Sequence, residues 1–393
     1  MAPLCLDAQD NNANLKSLYD KHSWFELRDA VTKENAPVFY QGMVACAFND
    51  LRTCQKKLRV VVKSKPQSDE AVEAHRTLAA IYRRQGKYHQ ILAELDALLA
   101  ISPGDSDTQG DRPLFAALAK FPDQQVTHKS RAMLHLQDGG IPFSIHGVTG
   151  TYWFDTGAEI SVLTESEAKR FGLAIQATST KMGDVTGTRF STRVAVADEL
   201  SIGTIRLRNV AFLVVSDDRP PFNQAQTGSR GLIGFPVIFA LQRFAWTGNQ
   251  FEIEPKLSHE NAVHGNMCFD GNHPIVQVEF QNQNLAFTLD TGASNTDLYP
   301  RFAKAFPELI QAATKTNSYK MEGVGGTRQM DAAMLSSLHF RIDGFPVGLK
   351  STGVLLANTA ETSKFFYGNL GIDLLQQAKK ATFDFKVMTL ALQ

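Results

Sequence analysis

No apolar stretch in these 393 residues approaches the roughly 18 that a membrane-crossing helix requires, so the sequence offers no membrane span. A dominant charge is missing as well. Lys and Arg number 40, Asp and Glu number 40, and nothing favours nucleic acid or an anionic membrane as partner. Cysteine is scarce: Cys5, Cys46, Cys54 and Cys268 stand at no zinc-site spacing, and HExxH is absent. The ten histidines show no ligand spacing, so no metal or other cofactor is expected. Met1-Ala2-Pro3-Leu4-Cys5 lacks the charged and apolar regions of a signal peptide. Between residues 12 and 103 proline and glycine are sparse, which argues against a turn-rich β structure there.

What is present is a soluble, globular composition, 43% hydrophobic and 20% charged, long enough for two or three domains. In residues 12–103 apolar residues recur at three- and four-residue intervals, the helical period. Residues 102–113 are polar and rich in turn formers, and read as a linker followed by a short helix from Leu114 to Lys120. The acidic spacing there hints at calcium, but no downstream glutamate completes an EF-hand loop. From Ala132 onward short runs rich in Val, Ile, Phe and Thr alternate with Gly and Asp turns, the pattern of strands. Short helices are expected over Glu165–Phe171 and Pro300–Phe306.

The strongest signal is a repeat. Phe154-Asp155-Thr156-Gly157-Ala158 and Leu289-Asp290-Thr291-Gly292-Ala293 each follow a strand-like apolar run, at an offset of 290 − 155 = 135 positions. Downstream of each lies K-M-x-x-V-x-G-T-R, at Lys181–Arg189 and Lys320–Arg328. Further on come Gly231-Leu232-Ile233-Gly234 and Gly368-Asn369-Leu370-Gly371. Motifs repeated in one order mean two copies of one structural unit. Two carboxylates on equivalent turns can share one proton and activate one water. Gly323-Val324-Gly325-Gly326 lacks the GxGxxG spacing of a dinucleotide site.

On these motifs, the chain from about Ala132 onward resembles aspartic proteases of the pepsin and retropepsin clan. The resemblance implies a multidomain fold, α plus all-β: an N-terminal α-helical repeat domain and then a bilobal pepsin- or retropepsin-like β-barrel protease. It implies an aspartic endopeptidase with Asp155 and Asp290 as catalytic pair and a peptide or protein as substrate. Thr156, Gly157 and Ser161, with Thr291, Gly292 and Thr296, would support the loops. Ala158, Glu159, Ala293 and Ser294, with Gly187 and Gly326 on flap hairpins, would contact substrate. The chain departs from the clan at Asn369, where an apolar residue is usual, and in a flap tyrosine, for which only Tyr319 stands nearby. The alternative is a non-catalytic peptide-binding or adaptor protein that keeps the protease fold as a scaffold.

Leu78, Tyr82, Gly86, Tyr88, Leu95, Leu98 and Pro103 resemble a tetratricopeptide repeat in spacing. Gly42, Ala45, Cys54, Leu58, Val61 and Pro66 align in the same frame, and a third, degenerate helix pair is expected from near Leu15. The divisions expected are a helical domain over 1–105, a linker with a short helix over 106–131, and lobes over 132–256 and 257–393. The helical domain is expected to pack, or to carry a homo-oligomer or protein contact. Cys46 and Cys54 flank the Asn49-Asp50 turn, where two helices could bring them together; a disulfide there would imply an oxidising compartment, periplasmic or secreted. Export would need a leader that this chain does not show, and a cytoplasmic protein with two buried thiols stays open.

Overall fold

The computed structural model describes residues 13–33, 36–183, 187–254 and 265–393. The first part is helical: α1 (13–20), α2 (Trp24–Lys33), α3 (Val38–Ala47), α4 (Leu51–Ser64), α5 (Asp69–Arg84), α6 (Tyr88–Ile101) and α7 (Ser106–Leu118). Local chemistry sets the helix starts. Asp50 accepts the Thr53 N–H at the start of α4, and Ser68 accepts that of Ala71 at the start of α5. Asp69 and Glu70 in the first turn of α5 and Arg83 and Arg84 in its last complement the helix dipole. A disulfide joins Cys46 of α3 to Cys54 of α4 across a Cα separation of 4.8 Å.

Residues 102–113 are not a linker, and the helix expected at Leu114–Lys120 starts earlier. Asp105 accepts the Thr108 N–H at 2.8 Å and begins α7, which runs through Pro113. Tertiary packing overrides the breaker signal: Thr108, Leu114, Phe115 and Leu118 are buried. The polar residues that suggested solvent exposure are ion-paired, Asp111 with Arg83 and Arg112 with Asp96.

The β part also begins before Ala132, because strand 125–128 pairs with 205–208. Among the described residues three sheets follow. Lobe 1 has ten strands in the order 125–128, 205–208, 200–202, 141–145, 148–154, 231–233, 161–164, 210–215, 189–197, 176–183. Lobe 2 has eight, in the order 267–270, 273–280, 283–289, 368–370, 297–298, 345–355, 326–342, 314–323. Its sheet curls back on itself through a further pairing of Glu279 with Arg341. A five-stranded sheet joins the lobes, with 132–135, 250–253 and 243–247 from the first and 381–384 and 389–392 from the second.

The two lobes repeat one topology. Strand 231–233 runs parallel to 148–154 and antiparallel to 161–164. Strand 368–370 stands in the same relation to 283–289 and 297–298. Aromatic residues fill the space between lobes: Phe235 and Phe239 of helix Phe235–Leu241 meet Phe269 and Phe385 edge-on or tilted.

The helical domain docks on both lobes. The Tyr88 hydroxyl donates to the Asn209 carbonyl at 2.7 Å and accepts the Ala211 N–H at 3.0 Å in lobe 1. Trp24 Nε1 donates to Asp270 at 2.9 Å, and Asn49 donates to the Phe385 carbonyl at 2.7 Å. The Arg84 guanidinium lies 3.9 Å from the centre of the Phe269 ring. Helix α7 packs along strand 176–183.

Candidate active site

Each Asp-Thr-Gly-Ala loop leaves the end of a strand and turns on its own aspartate. Asp155 Oδ1 accepts the N–H of Gly157 at 2.9 Å and of Ala158 at 3.0 Å, and Asp290 Oδ1 accepts that of Gly292 at 2.9 Å. The loops then meet. A Cβ on Gly157 would stand 2.8 Å from the Asp290 carboxyl carbon, and one on Gly292 would stand 2.4 Å from that of Asp155. Only glycine leaves room for each loop to lie against the opposite carboxylate.

The threonines lock this meeting. Thr156 Oγ1 donates to the Leu289 carbonyl at 2.8 Å, and Thr291 Oγ1 donates to the Phe154 carbonyl at 2.7 Å. Each hydroxyl also accepts the other threonine's backbone N–H, at 3.0 and 3.2 Å. All four bonds cross between lobes and are buried, where unmade partners would be costly.

Behind the loops the two halves repeat each other bond for bond. The Asp155 N–H donates to the Ile233 carbonyl at 3.0 Å, and that of Asp290 to the Leu370 carbonyl at 2.9 Å. The Ala158 and Ala293 carbonyls accept the N–H groups of Phe235 and Ile372, both at 2.8 Å. Ser161 Oγ accepts the Gly234 N–H at 2.9 Å, and Thr296 Oγ1 accepts that of Gly371 at 3.1 Å.

Electrostatics follow from this closeness. Burial, then the Asp290 charge and a hydrogen bond to the Asp290 side chain, hold the Asp155 carboxyl well above the usual carboxylate range, against the Gly157 and Ala158 N–H groups. A carboxyl pair of this kind retains a proton where an isolated carboxyl has lost it, and the pair titrates as a unit. It can donate one hydrogen bond while accepting another, which suits polarisation of a carbonyl and deprotonation of a water.

A two-stranded hairpin ends the sheet of each lobe. The first joins strands 176–183 and 189–197, and Gly187 lies at its tip beside residues outside the described set. The second turns through Val324 and Gly325, with Gly323 paired to Gly326. A Cβ on Gly187 would be 3.8 Å from Arg328 Nη1, so the hairpin ends approach each other. Tyr319 points away from the tip: its hydroxyl donates to Asp297 and its ring lies on Gly353.

Of the expected substrate contacts, Ser294 is exposed, but both Glu159 oxygens are engaged within the protein. Oε1 accepts from Asn272 Nδ2 at 3.1 Å, and Oε2 accepts from Arg83 of α5. Three participants were not singled out in the sequence. Arg83 and Asn272 carry no local signal. Asp373 accepts from the Thr296 hydroxyl at 2.7 Å and the Thr296 N–H at 2.9 Å; its place two residues after the second Gly-x-Leu-Gly brace could have marked it. Among the described residues no cluster of His, Cys, Asp and Glu is arranged to hold a metal ion.

A family described as aspartyl protease matches residues 141–237, the heart of lobe 1 with Asp155. No curated protein matches the chain. Among solved structures, a retropepsin-like aspartic protease from Rickettsia conorii is similar, with 16% identity, 33% of this chain and 94% of that one covered, and a TM-score of 0.23. Basic 7S globulin from soybean is similar over 65% of this chain and 94% of its own, with 9% identity and a TM-score of 0.35. The chain is therefore a helical region followed by β domains with an aspartic protease-like fold.

Proposed function

We propose that the chain is a single-chain aspartic endopeptidase in which Asp155 and Asp290 activate the water. The observation that supports this best is the meeting of two Asp-Thr-Gly-Ala loops, each glycine against the opposite carboxylate. With one proton on the pair, the ionised carboxylate takes a proton from water as the oxygen attacks the scissile carbonyl carbon. The protonated carboxyl donates to the carbonyl oxygen. The resulting tetrahedral diol collapses when the amine leaves with a proton from the pair. The hairpins at Gly187 and Gly326 would close over an extended peptide, exclude water and bond its main chain. Thr156, Thr291, Ser161 and Thr296 would keep the loops rigid.

The finer assignments belong to the same reading. We place the helical hairpins with the tetratricopeptide type on their residue spacing, and take packing against the lobes as their first role. The Cys46–Cys54 bridge favours an exported protein.

The test is turnover of a mixed peptide library at about pH 3–7, with and without a pepstatin-like inhibitor. Inhibitor-sensitive cleavage is expected, together with its loss in Asp155→Asn and Asp290→Asn proteins that stay folded. Because both half-sites lie in one chain, activity per molecule should not change on dilution. Peptide binding without cleavage at any pH would establish the scaffold alternative.

A further inference from the structure

Among the described residues, the ion cluster that ties α5 to the Asp155 loop has no counterpart on the Asp290 loop. Glu159 lies two residues past Gly157, which itself abuts Asp290, and its carboxylate meets Asn272 on a turn of lobe 2. It therefore sits beside the dyad where the lobes meet, which on the endopeptidase reading is one mouth of the cleft. Arg83 reaches there from the helical domain. One of its terminal nitrogens donates to Glu159 and the other to Asp111 of α7, with the guanidinium 4.9 Å from the centre of the Phe115 ring. The Arg83 side chain is only 11% exposed, whereas that of Glu159 is 29% exposed. Burial alone would raise the Glu159 carboxyl; Arg83, with help from His273 and Asn272, outweighs it and keeps the group ionised. An ionised carboxylate at a cleft mouth would accept peptide N–H donors, and here each of its oxygens already accepts one bond, from Asn272 and from Arg83.

The opposite mouth is built differently. The counterpart of Glu159 is Ser294, short and exposed. The repeat offset carries Asn272 onto Gln137, whose side chain accepts from Thr151 instead of reaching across.

Resting on the endopeptidase reading, we infer that Arg83 is a specificity-determining residue: it closes the Glu159 mouth and limits how far a substrate extends on that side of the scissile bond. Substrate is then held chiefly toward the Ser294 mouth. The helical domain thus becomes part of the cleft wall.

The experiment uses one short peptide that the wild type cleaves, lengthened a residue at a time at either end. For wild type, kcat/KM should rise with extension on one side only. Arg83→Ala should gain roughly three- to tenfold in kcat/KM for peptides extended on the other side relative to the unextended peptide, as one or two added hydrogen bonds would give. Arg83→Lys, which keeps the charge, should retain the wild-type length profile. If Arg83→Ala does not fold, Arg83→Ala/Asp111→Asn leaves one fewer orphaned carboxylate and carries the same readout. An unchanged length profile in the alanine variant, or an equal change for every peptide, overturns the inference while leaving the endopeptidase reading intact. A wild type that cleaves no peptide sinks that reading, and this inference with it.

Discussion

Lobe 1 and lobe 2 share their loop hydrogen bonds almost atom for atom, yet they are supported by opposite means. Behind the first loop stand apolar residues: Val162, Leu232 and Pro236. At the matching places behind the second stand Asp297, Asn369 and Asp373. Lobe 2 is braced from within, by Thr296 on Asp373, Tyr319 on Asp297, and Thr288 on Asn369 at 2.6 Å. Lobe 1 is braced from outside, by Arg83 on Glu159, Tyr88 on strand 210–215 and α7 on the first hairpin. The difference shows which parts of the repeated unit its geometry fixes. The meeting of the two loops is the same from both sides, while the means of holding each loop still differs.

The largest effect should fall where the lobes are alike. Asp155→Asn and Asp290→Asn should each lower kcat by roughly a thousandfold or more, with near-native melting. Substantial activity in one of the two would break the symmetry. For the intact pair, the raised Asp155 pKa should place the alkaline limb of the pH–rate profile above the usual carboxylate range.

Next come the means of support. Cys46→Ser/Cys54→Ser should cost about 2–3 kcal/mol in the helical domain, by the loop-entropy estimate for a short loop. If lobe 1 leans on that domain, hydrogen exchange should then quicken in strand 176–183 and stay unchanged in 314–323. Equal quickening would show that both hairpins depend on the helices. Thiol titration of the unfolded, unreduced wild type should find two of the four cysteines free. Four free thiols in protein taken from its native compartment would remove the argument for export.

Asp373→Ala strikes the internal brace. Losing two hydrogen bonds to a charged acceptor should cost about 2 kcal/mol and lower kcat, since Thr296 supports the Asp290 loop. A neutral melting curve would mean that Thr296 is held by Gly371 alone.

The smallest effect concerns Asp297. Burial raises its carboxyl from 3.8 to about 6, against the Tyr319 hydrogen bond and with the Asp373 charge adding to the rise. The folded chain therefore binds more protons than the unfolded chain between about pH 4 and 6. The stability that protonated Asp297 contributes is complete below about pH 4 and is lost as pH rises through 6. Asp297→Asn should stabilise the protein at pH 7, with the gain gone near pH 4. A gain independent of pH would point to packing instead.

The symmetric part of the site was legible in the sequence and the asymmetric part was not. Aspartate, threonine and glycine in fixed order encode a turn, a crossing bond and a close approach, all within a few residues. Ser161, Thr296 and the two Gly-x-Leu/Ile-Gly braces repeat in register, so one copy announces the other. Arg83 belongs to a helix of another domain, 76 positions from Glu159, and its two arginine-like neighbours in chemistry, Arg76 and Arg84, make different contacts. Helix α7 hid behind Pro113 and a run of polar residues, because the burial of Leu114, Phe115 and Leu118 and the ion pairs of Asp111 and Arg112 exist only in the folded protein.

The five-stranded sheet that joins the lobes bears on how the protein is made. Strand 243–247 has one neighbour, 250–253, close at hand and the other, 381–384, at the far side of lobe 2. During vectorial synthesis, lobe 1 emerges with that sheet edge bare, with Thr156 lacking the Leu289 carbonyl, and with no second carboxylate facing Gly157. The helices come first and can already grip lobe 1 through Tyr88 and Arg83. A nascent chain is thus sheltered on one flank, and the pairing that completes the sheet also brings the two carboxylates together.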